Sequence, residues 1–423
     1  MNKIILKVNF LFYFLLLLMI VFPYDLQYFK IILIVLIVIS NTLYLFTNNF
    51  KYSINIFIWY FLFILQGILF TTLGYFNDPV NAIKVIPVNI IWPIIYFFIT
   101  IMVVSKNSII SIYKTYILSM ILFGLYSTLF IVTSMELIPN IDFLYITQYS
   151  SFNVQGFIPS FFLPSITGMI YLIPFLISGF ILWSYNNICN FNIKIILYTI
   201  LLVAFILIFA TRRIIWIEIF ISPFLTIFLY NIINKNNKFI ISRKYKIIFF
   251  KIVLYFISII TIFSIFYFDN FIDSFYNSNA YNSLIFQDEG TDLRWDQLYC
   301  LLKHWSDSPF IGFGYGASAV ECQRSELFPW MFELAYIALL FHIGVLGFIW
   351  YFLLIFYIFY LGIRVSRANK DSCFFIIPSL VGLACFLFAN STNTYLEAYD
   401  NMWTIFVPVA IINYFQLNKN EPN

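Results

Sequence analysis

The sequence predicts an all-α, polytopic integral membrane protein with about 12 transmembrane helices and one large extramembrane loop. Hydrophobic residues fill 62% of its 423 positions and charged residues only 10%, far more apolar than a soluble core requires. Apolar runs of about 20 residues recur from end to end, the length that crosses a bilayer, and hydrocarbon tolerates no unpaired backbone, so the runs should be helical. The remaining charges alternate in sign between successive loops, as the positive-inside rule requires.

The spans fall near residues 5 to 22, 29 to 46, 54 to 73, 83 to 104, 109 to 133, 164 to 184, 193 to 210, 213 to 233, 247 to 268, 330 to 360, 373 to 389 and 401 to 417. The first follows Lys3 and Lys7 like a secretory signal, but no small-residue cleavage site follows Phe22-Pro23-Tyr24, so it counts as a span. With the amino terminus cytoplasmic, that side collects Lys51, Lys106, Lys194, the basic cluster from Lys235 to Lys246, Arg364, Arg367, Lys370 and Lys419. The opposite side collects Asp78, Glu136, Asp142, Asp269, Asp273, Glu397 and Asp400. An even number of spans puts both termini in the cytoplasm. The net charge of +4 is spread over short loops, so no basic domain exists to hold nucleic acid.

Arg212 and Arg213 break this alternation, because they fall at a reversal on the side where basic residues are scarce. Without the reversal, one helix from Asn192 to Ile233 would run about 60 Å at 1.5 Å per residue, twice the hydrocarbon thickness. A guanidinium in a bilayer costs roughly 2.5 to 3.5 kcal/mol, so two require compensation, such as an anionic ligand. The alternative is pairing with Glu218, Asp292, Asp296 or lipid headgroups.

Residues 269 to 329 form the large loop, external in this topology, and loops of that length are functional or disordered. Within it, Thr291 to Trp305 places Arg294, Leu298, Leu301, Leu302 and Trp305 on one helical face, which predicts an amphipathic helix on the outer membrane surface. A lid helix whose Arg294 snorkels to water is the alternative. The external loop from Ser134 to Leu163 has no lysine or arginine and names no chemistry.

Arg212, Arg213 and Arg294, with Arg324 at lower weight, are the candidate phosphate ligands, because the planar guanidinium fork matches phosphate oxygens. Glu333 is the candidate proton acceptor or the group that orients it. It opens the long span on a face shared with Trp330, Leu334, Ile337 and Phe341; a helix amino-terminal Glu favoured by the dipole is the bland alternative. Gly312, Gly314 and Gly316 could let backbone approach a sugar or phosphate, or could simply form a flexible turn. Cys300 and Cys322 share the large loop and form either a disulfide or two free thiols. His304 and His342 are too few for a multi-histidine site, so neither a structural metal nor a cofactor is expected. The 54 Phe and 31 Tyr are read as lipid-facing and interfacial surface.

Three segments between about residues 205 and 350 resemble the O-antigen polymerases (Wzy-like proteins) and the related O-antigen ligases: FATRRIIWIEI, TDLRWDQLYCLLKHWSDSPFIGFGYG and FELAYIALLFHIGVLGF. Ligases tend to carry His-Asn where this chain has Glu333-Leu334, which favours the polymerase branch. The resemblance implies a glycosyltransferase at the periplasmic face of a bacterial inner membrane, within a single transmembrane domain, 1–423, whose large loop is periplasmic. It would join undecaprenyl-pyrophosphate-linked oligosaccharide units into a polysaccharide of the lipopolysaccharide pathway. Its partners would be those lipid-linked glycans, membrane lipids and a chain-length regulator. Arg212, Arg213, Arg294 and Arg324 would bind pyrophosphate, and Glu333 with Arg294 would be catalytic. Transfer of finished glycan to lipid A core and flipping of lipid-linked oligosaccharide are the competing activities.

Overall fold

A computed structural model describes residues 2–47, 52–137, 139, 150–155, 158–185, 191–208, 210, 212, 214–234, 289–323 and 325–418. The predicted span at 247–268, the residues 269–288 of the large loop, the basic cluster, Arg213, Arg324 and both chain ends lie outside the described residues.

The chain is mostly helical, and each other predicted span coincides with a helix. The described helices are α1 (Asn2–Val21), α2 (Gln27–Thr47), α3 (Ile54–Asn77), α4 (Pro79–Ile86) continued by α5 (Trp92–Thr100), α6 (Lys106–Ser134), α7 (Ile166–Tyr185), α8 (Ile193–Leu207), α9 (Ile214–Ile233), α10 (Glu289–Trp305), which lies in the predicted loop, α11 (Ala335–Ala368), α12 (Cys373–Ala389) and α13 (Trp403–Leu417). Among the described residues, seven helical segments are long and apolar enough to cross a membrane. The helix is interrupted near Arg212, with α8 ending at Leu207 and α9 starting at Ile214.

Local chemistry sets several boundaries. Asp78 caps α4 by accepting from the Asn81 N–H, and Pro79 occupies the first turn, where its missing N–H leaves nothing unsatisfied. Pro87 cannot donate inside a helix, and the chain passes through a π-helical turn, Pro87–Ile91, before α5 resumes.

The purely helical expectation is incomplete. Ser151–Gln155 (β1) and Ile158–Phe162 (β2) pair antiparallel, with Ser151 opposite Phe162. The long helix also starts later than expected. A run of bends and turns through Pro329 precedes it, Glu333 donates its N–H to Gln297 Oε1 at 2.9 Å, and helix begins at Ala335.

The centre of the bundle is α7 and α12, whose apolar spans are 89% buried. Aromatic residues build much of this centre, contrary to their expected lipid-facing role: Trp59, Trp183, Trp403, Tyr113, Tyr116 and Tyr171 are fully buried. Their polar tips are satisfied where helix carbonyls come within reach, as when Trp59 donates to Leu354 O at 2.9 Å and Trp183 to Phe374 O at 2.8 Å. Phe57, Phe220, Phe224, Phe228 and Phe356 do lie on the outer surface.

The glycine loop is part of this architecture. Gly344 has φ +60° and interrupts α11, freeing backbone groups that the segment from Pro309 to Tyr315 then satisfies. Val345 donates to Pro309 O, Phe313 to Phe341 O, Gly314 to His342 O and Tyr315 to Phe70 O. A Cβ on Gly314 would stand 1.9 Å from the Gly74 nitrogen, and φ there is +88°, so only glycine fits.

A candidate anion-binding cavity at one end of the bundle

A cavity of about 1030 Å³ opens where the loops assigned by charge alternation to one side come together. Its walls come from the α1–α2 turn, α4, the end of β2, the chain before α9, residues 328 to 342 and the segment between α12 and α13. Arg212 and Glu333, predicted from separate parts of the sequence, both line it, as does Gly316. Gly312 and Gly314 instead press against helix backbone, so their close approach serves packing rather than a ligand.

Arg212 has an unusual set of contacts. Its guanidinium lies 4.9 Å from the Phe162 ring centre and 5.9 Å from that of Tyr395, and one Nη donates to Asn393 Oδ1 at 2.9 Å. Its Nε is buried and has no hydrogen-bond partner among the described residues. The expected alternative of pairing with Glu218 is not realised; both oxygens of that buried carboxylate also lack partners among the described residues. The Arg212 cation therefore has donors to spare and no described counter-ion, facing a space able to hold a ligand.

Arg294 reaches the site through Glu333, to which its Nε donates at 2.8 Å. It stands behind Glu333 rather than on the cavity wall. The predicted amphipathic helix exists as α10, but its most buried positions are Gln297 and Leu301, and they face protein. Leu301 joins Ala317, Ala319, Phe332, Ala338 and Phe341 in a small core, and Gln297 donates to Cys322 O at 3.1 Å. Cys300 and Cys322 are joined as a disulfide, fastening α10 to the loop below it. Donor atoms of Cys300, His304 and Cys322 lie within 4.8 Å of one another, a grouping the sequence spacing did not suggest. With both sulfurs bonded to each other, no thiolate remains there to ligate a metal.

Tyr395 connects the two arginines electrostatically. Burial raises its phenol pKa, Arg212 acts to lower it, Glu218 to raise it and Arg294 to lower it, so both cations are within electrostatic reach of one hydroxyl. That hydroxyl is buried and unpartnered among the described residues.

Three further groups escaped sequence reading. Lys30 and Asp400 form a fully buried ion pair at 2.8 Å behind the cavity wall. Asp400 also accepts from the Tyr24 N–H at 2.9 Å, and Lys30 donates to Phe22 O at 2.7 Å. Burial raises the Asp400 pKa and the Lys30 cation opposes the rise. The pair anchors a turn in which Tyr24 and Leu26 hold positive φ of 67° and 55°, strained for residues with side chains. Glu397 lines the same cavity, its Oε2 is unpartnered among the described residues, and desolvation pushes its pKa up to about 8. A lysine inside an apolar run was the available signal for Lys30; Glu397 and Asp400 look like ordinary loop acids. No protein-family model and no curated protein matches this sequence, so its function must be argued from the chemistry of the cavity.

Proposed function

We propose that the protein is a polysaccharide polymerase of the O-antigen type, transferring a glycan from a lipid pyrophosphate to a lipid-linked acceptor at the periplasmic face of a bacterial inner membrane. The observation that carries this reading is Arg212, a half-buried cation on the wall of a cavity of about 1030 Å³, with Nε unpartnered and no described carboxylate against it. A pyrophosphate supplies the missing acceptors and charge. Its bond to the anomeric carbon breaks during transfer, so the anion these donors hold gains charge in the transition state, where preorganised donors are most effective. Arg294, held by Glu333, adds positive potential to the same region. The tyrosines and tryptophan on the cavity wall, Tyr24, Tyr336, Tyr399 and Trp330, offer faces on which sugar rings can stack.

A flippase reading takes support from the break in α11 at Gly344, since interrupted helices mark transport sites. Here the segment from Pro309 to Gly314 takes up the Val345 and Leu346 N–H groups and the Phe341 and His342 carbonyls beside the break. The buried carboxyl of Glu218 lies four residues after the start of α9, at the end nearer Arg212, rather than at its middle.

The two activities separate in cells. Loss of a polymerase leaves single lipid-linked units on the outer face and shortens surface polysaccharide to one repeat. Loss of a flippase leaves those units inside. Stably expressed Arg212→Ala should reproduce the polymerase phenotype, and a full-length ladder from that variant would end the proposal.

A further inference from the structure

Glycosyl transfer needs a group to receive the acceptor's hydroxyl proton, and Glu333 is poorly suited because its carboxylate is bound to Arg294 at 2.8 Å. That contact already occupies Oε2 of Glu333 with an arginine donor.

Resting on the glycosyl-transfer reading, we propose that Glu397 is the catalytic base: it accepts the hydroxyl proton of the acceptor sugar inside this cavity.

Three structural features support the assignment. Glu397 lines the cavity that Arg212 shares, and its buried Oε2 has no hydrogen-bond partner among the described residues. No described cation forms an ion pair with it, in contrast to Glu333 and Asp400. The short helical turn Tyr395–Glu397 is also held from several directions. Leu396 N–H donates to Asn390 Oδ1 at 3.0 Å, and Asn401 donates to Tyr395 O at 2.9 Å. Asn401 Oδ1 in turn accepts from Thr167 at 3.3 Å, and its neighbour Asp400 is fixed by Lys30. An unengaged carboxylate on a rigid segment is preorganised for proton transfer.

In the step itself, the acceptor oxygen bonds to the donor's anomeric carbon as the bond from that carbon to the pyrophosphate oxygen breaks. Pyrophosphate departs with the bonding electrons toward Arg212, the hydroxyl proton passes to Glu397, and water in the cavity later removes it. Desolvation holds Glu397 near a pKa of about 8, so it is a stronger base than an exposed carboxylate and retains a minority ionised fraction at neutral pH. The cavity wall also carries Asp25, Lys84, Arg212, Glu333, His342 and the phenols of Tyr24, Tyr28, Tyr315, Tyr336, Tyr351, Tyr395 and Tyr399, of which Tyr315 interacts electrostatically with Glu397.

The test uses the full-length protein in nanodiscs with a synthetic undecaprenyl-pyrophosphate-linked repeat unit. Glu397→Gln should bind undecaprenyl pyrophosphate as native protein does while transfer falls by about 100-fold or more. Transfer by Glu397→Gln at the native rate overturns the assignment and leaves the glycosyl-transfer reading standing. A native protein that transfers no sugar overturns that reading and this assignment with it. Should Glu397→Gln fail to fold, the native pH profile decides: the rate should climb through a pKa near 8 and then level, and a rate indifferent to pH across that value overturns the assignment. Glu397→Asp should keep partial activity with that transition displaced.

Discussion

Arg294 and Glu333, 39 residues apart in the chain, are joined by a 2.8 Å bond from Nε to Oε2 that links α10 to the edge of the cavity. The arginine side chain is 41% exposed and the glutamate 34%, so the pair contributes little to stability, about 1 kcal/mol or less. Its consequence should be functional. Glu333→Gln is expected to lower transfer about 10-fold by releasing Arg294, and Arg294→Ala about 100-fold, with melting temperatures nearly unchanged. If Glu333 works through Arg294, the double variant is no slower than Arg294→Ala alone. Multiplicative losses in a transfer assay would show independent roles.

Lys30 and Asp400 present the opposite case, a fully buried pair whose halves depend on each other. Removing one partner leaves a buried uncompensated charge or an empty site, so Lys30→Met or Asp400→Leu should each cost about 3 kcal/mol. The double variant, apolar on both sides, should recover most of that loss in a detergent thermal melt. Additive losses would mean the two residues do not act as a pair.

How much of this was legible in the sequence depends on range. Arg212 and the break between α8 and α9 could be read locally, because apolar length and a misplaced charge are properties of one segment. The α10 helix was legible for the same reason, but its orientation was not: periodicity reveals an apolar face without saying whether lipid or protein covers it. The approach of Asp400 to Lys30 spans 370 residues and left only a lysine in an apolar run as a trace. Glu333 was found, but its bond to Arg294 was not foreseeable, and that bond is what changes its chemistry. The glycines at 312 and 314 were noticed for their freedom of conformation, which the fold uses to fill the break at Gly344.

The Cys300–Cys322 bond closes a loop of 22 residues and ties α10 to the segment beneath it. Replacing both cysteines by alanine should cost about 3 kcal/mol. Transfer should fall too, because Arg294 lies less than two turns before Cys300 on α10. Peptide mapping without reductant should recover the two as a cross-linked pair; free thiols at both positions in active protein would contradict this.

Glu397 also predicts how stability varies with pH. Its folded-state pKa of about 8 lies above the ordinary value of 4.5, so the folded protein keeps a proton the unfolded chain releases. The favourable contribution of the neutral carboxyl is complete below the unfolded value, declines as pH rises through the interval, and is exhausted above the folded value. Glu397→Gln cannot ionise, so it should melt higher than native protein at pH 8 and show a smaller difference at low pH. Equal pH dependence in the two proteins would refute the burial argument.

Affinity of the purified protein for undecaprenyl pyrophosphate, set beside its affinity for uncharged undecaprenol, addresses Arg212 most directly. Native protein should prefer the pyrophosphate, and Arg212→Ala should weaken that binding by about 10-fold or more, a loss of at least ~1.4 kcal/mol, while undecaprenol binding stays the same. Arg212→Lys, which keeps charge but not the planar fork, should fall between them. Pyrophosphate binding unaffected by Arg212→Ala would contradict an anion site at this position.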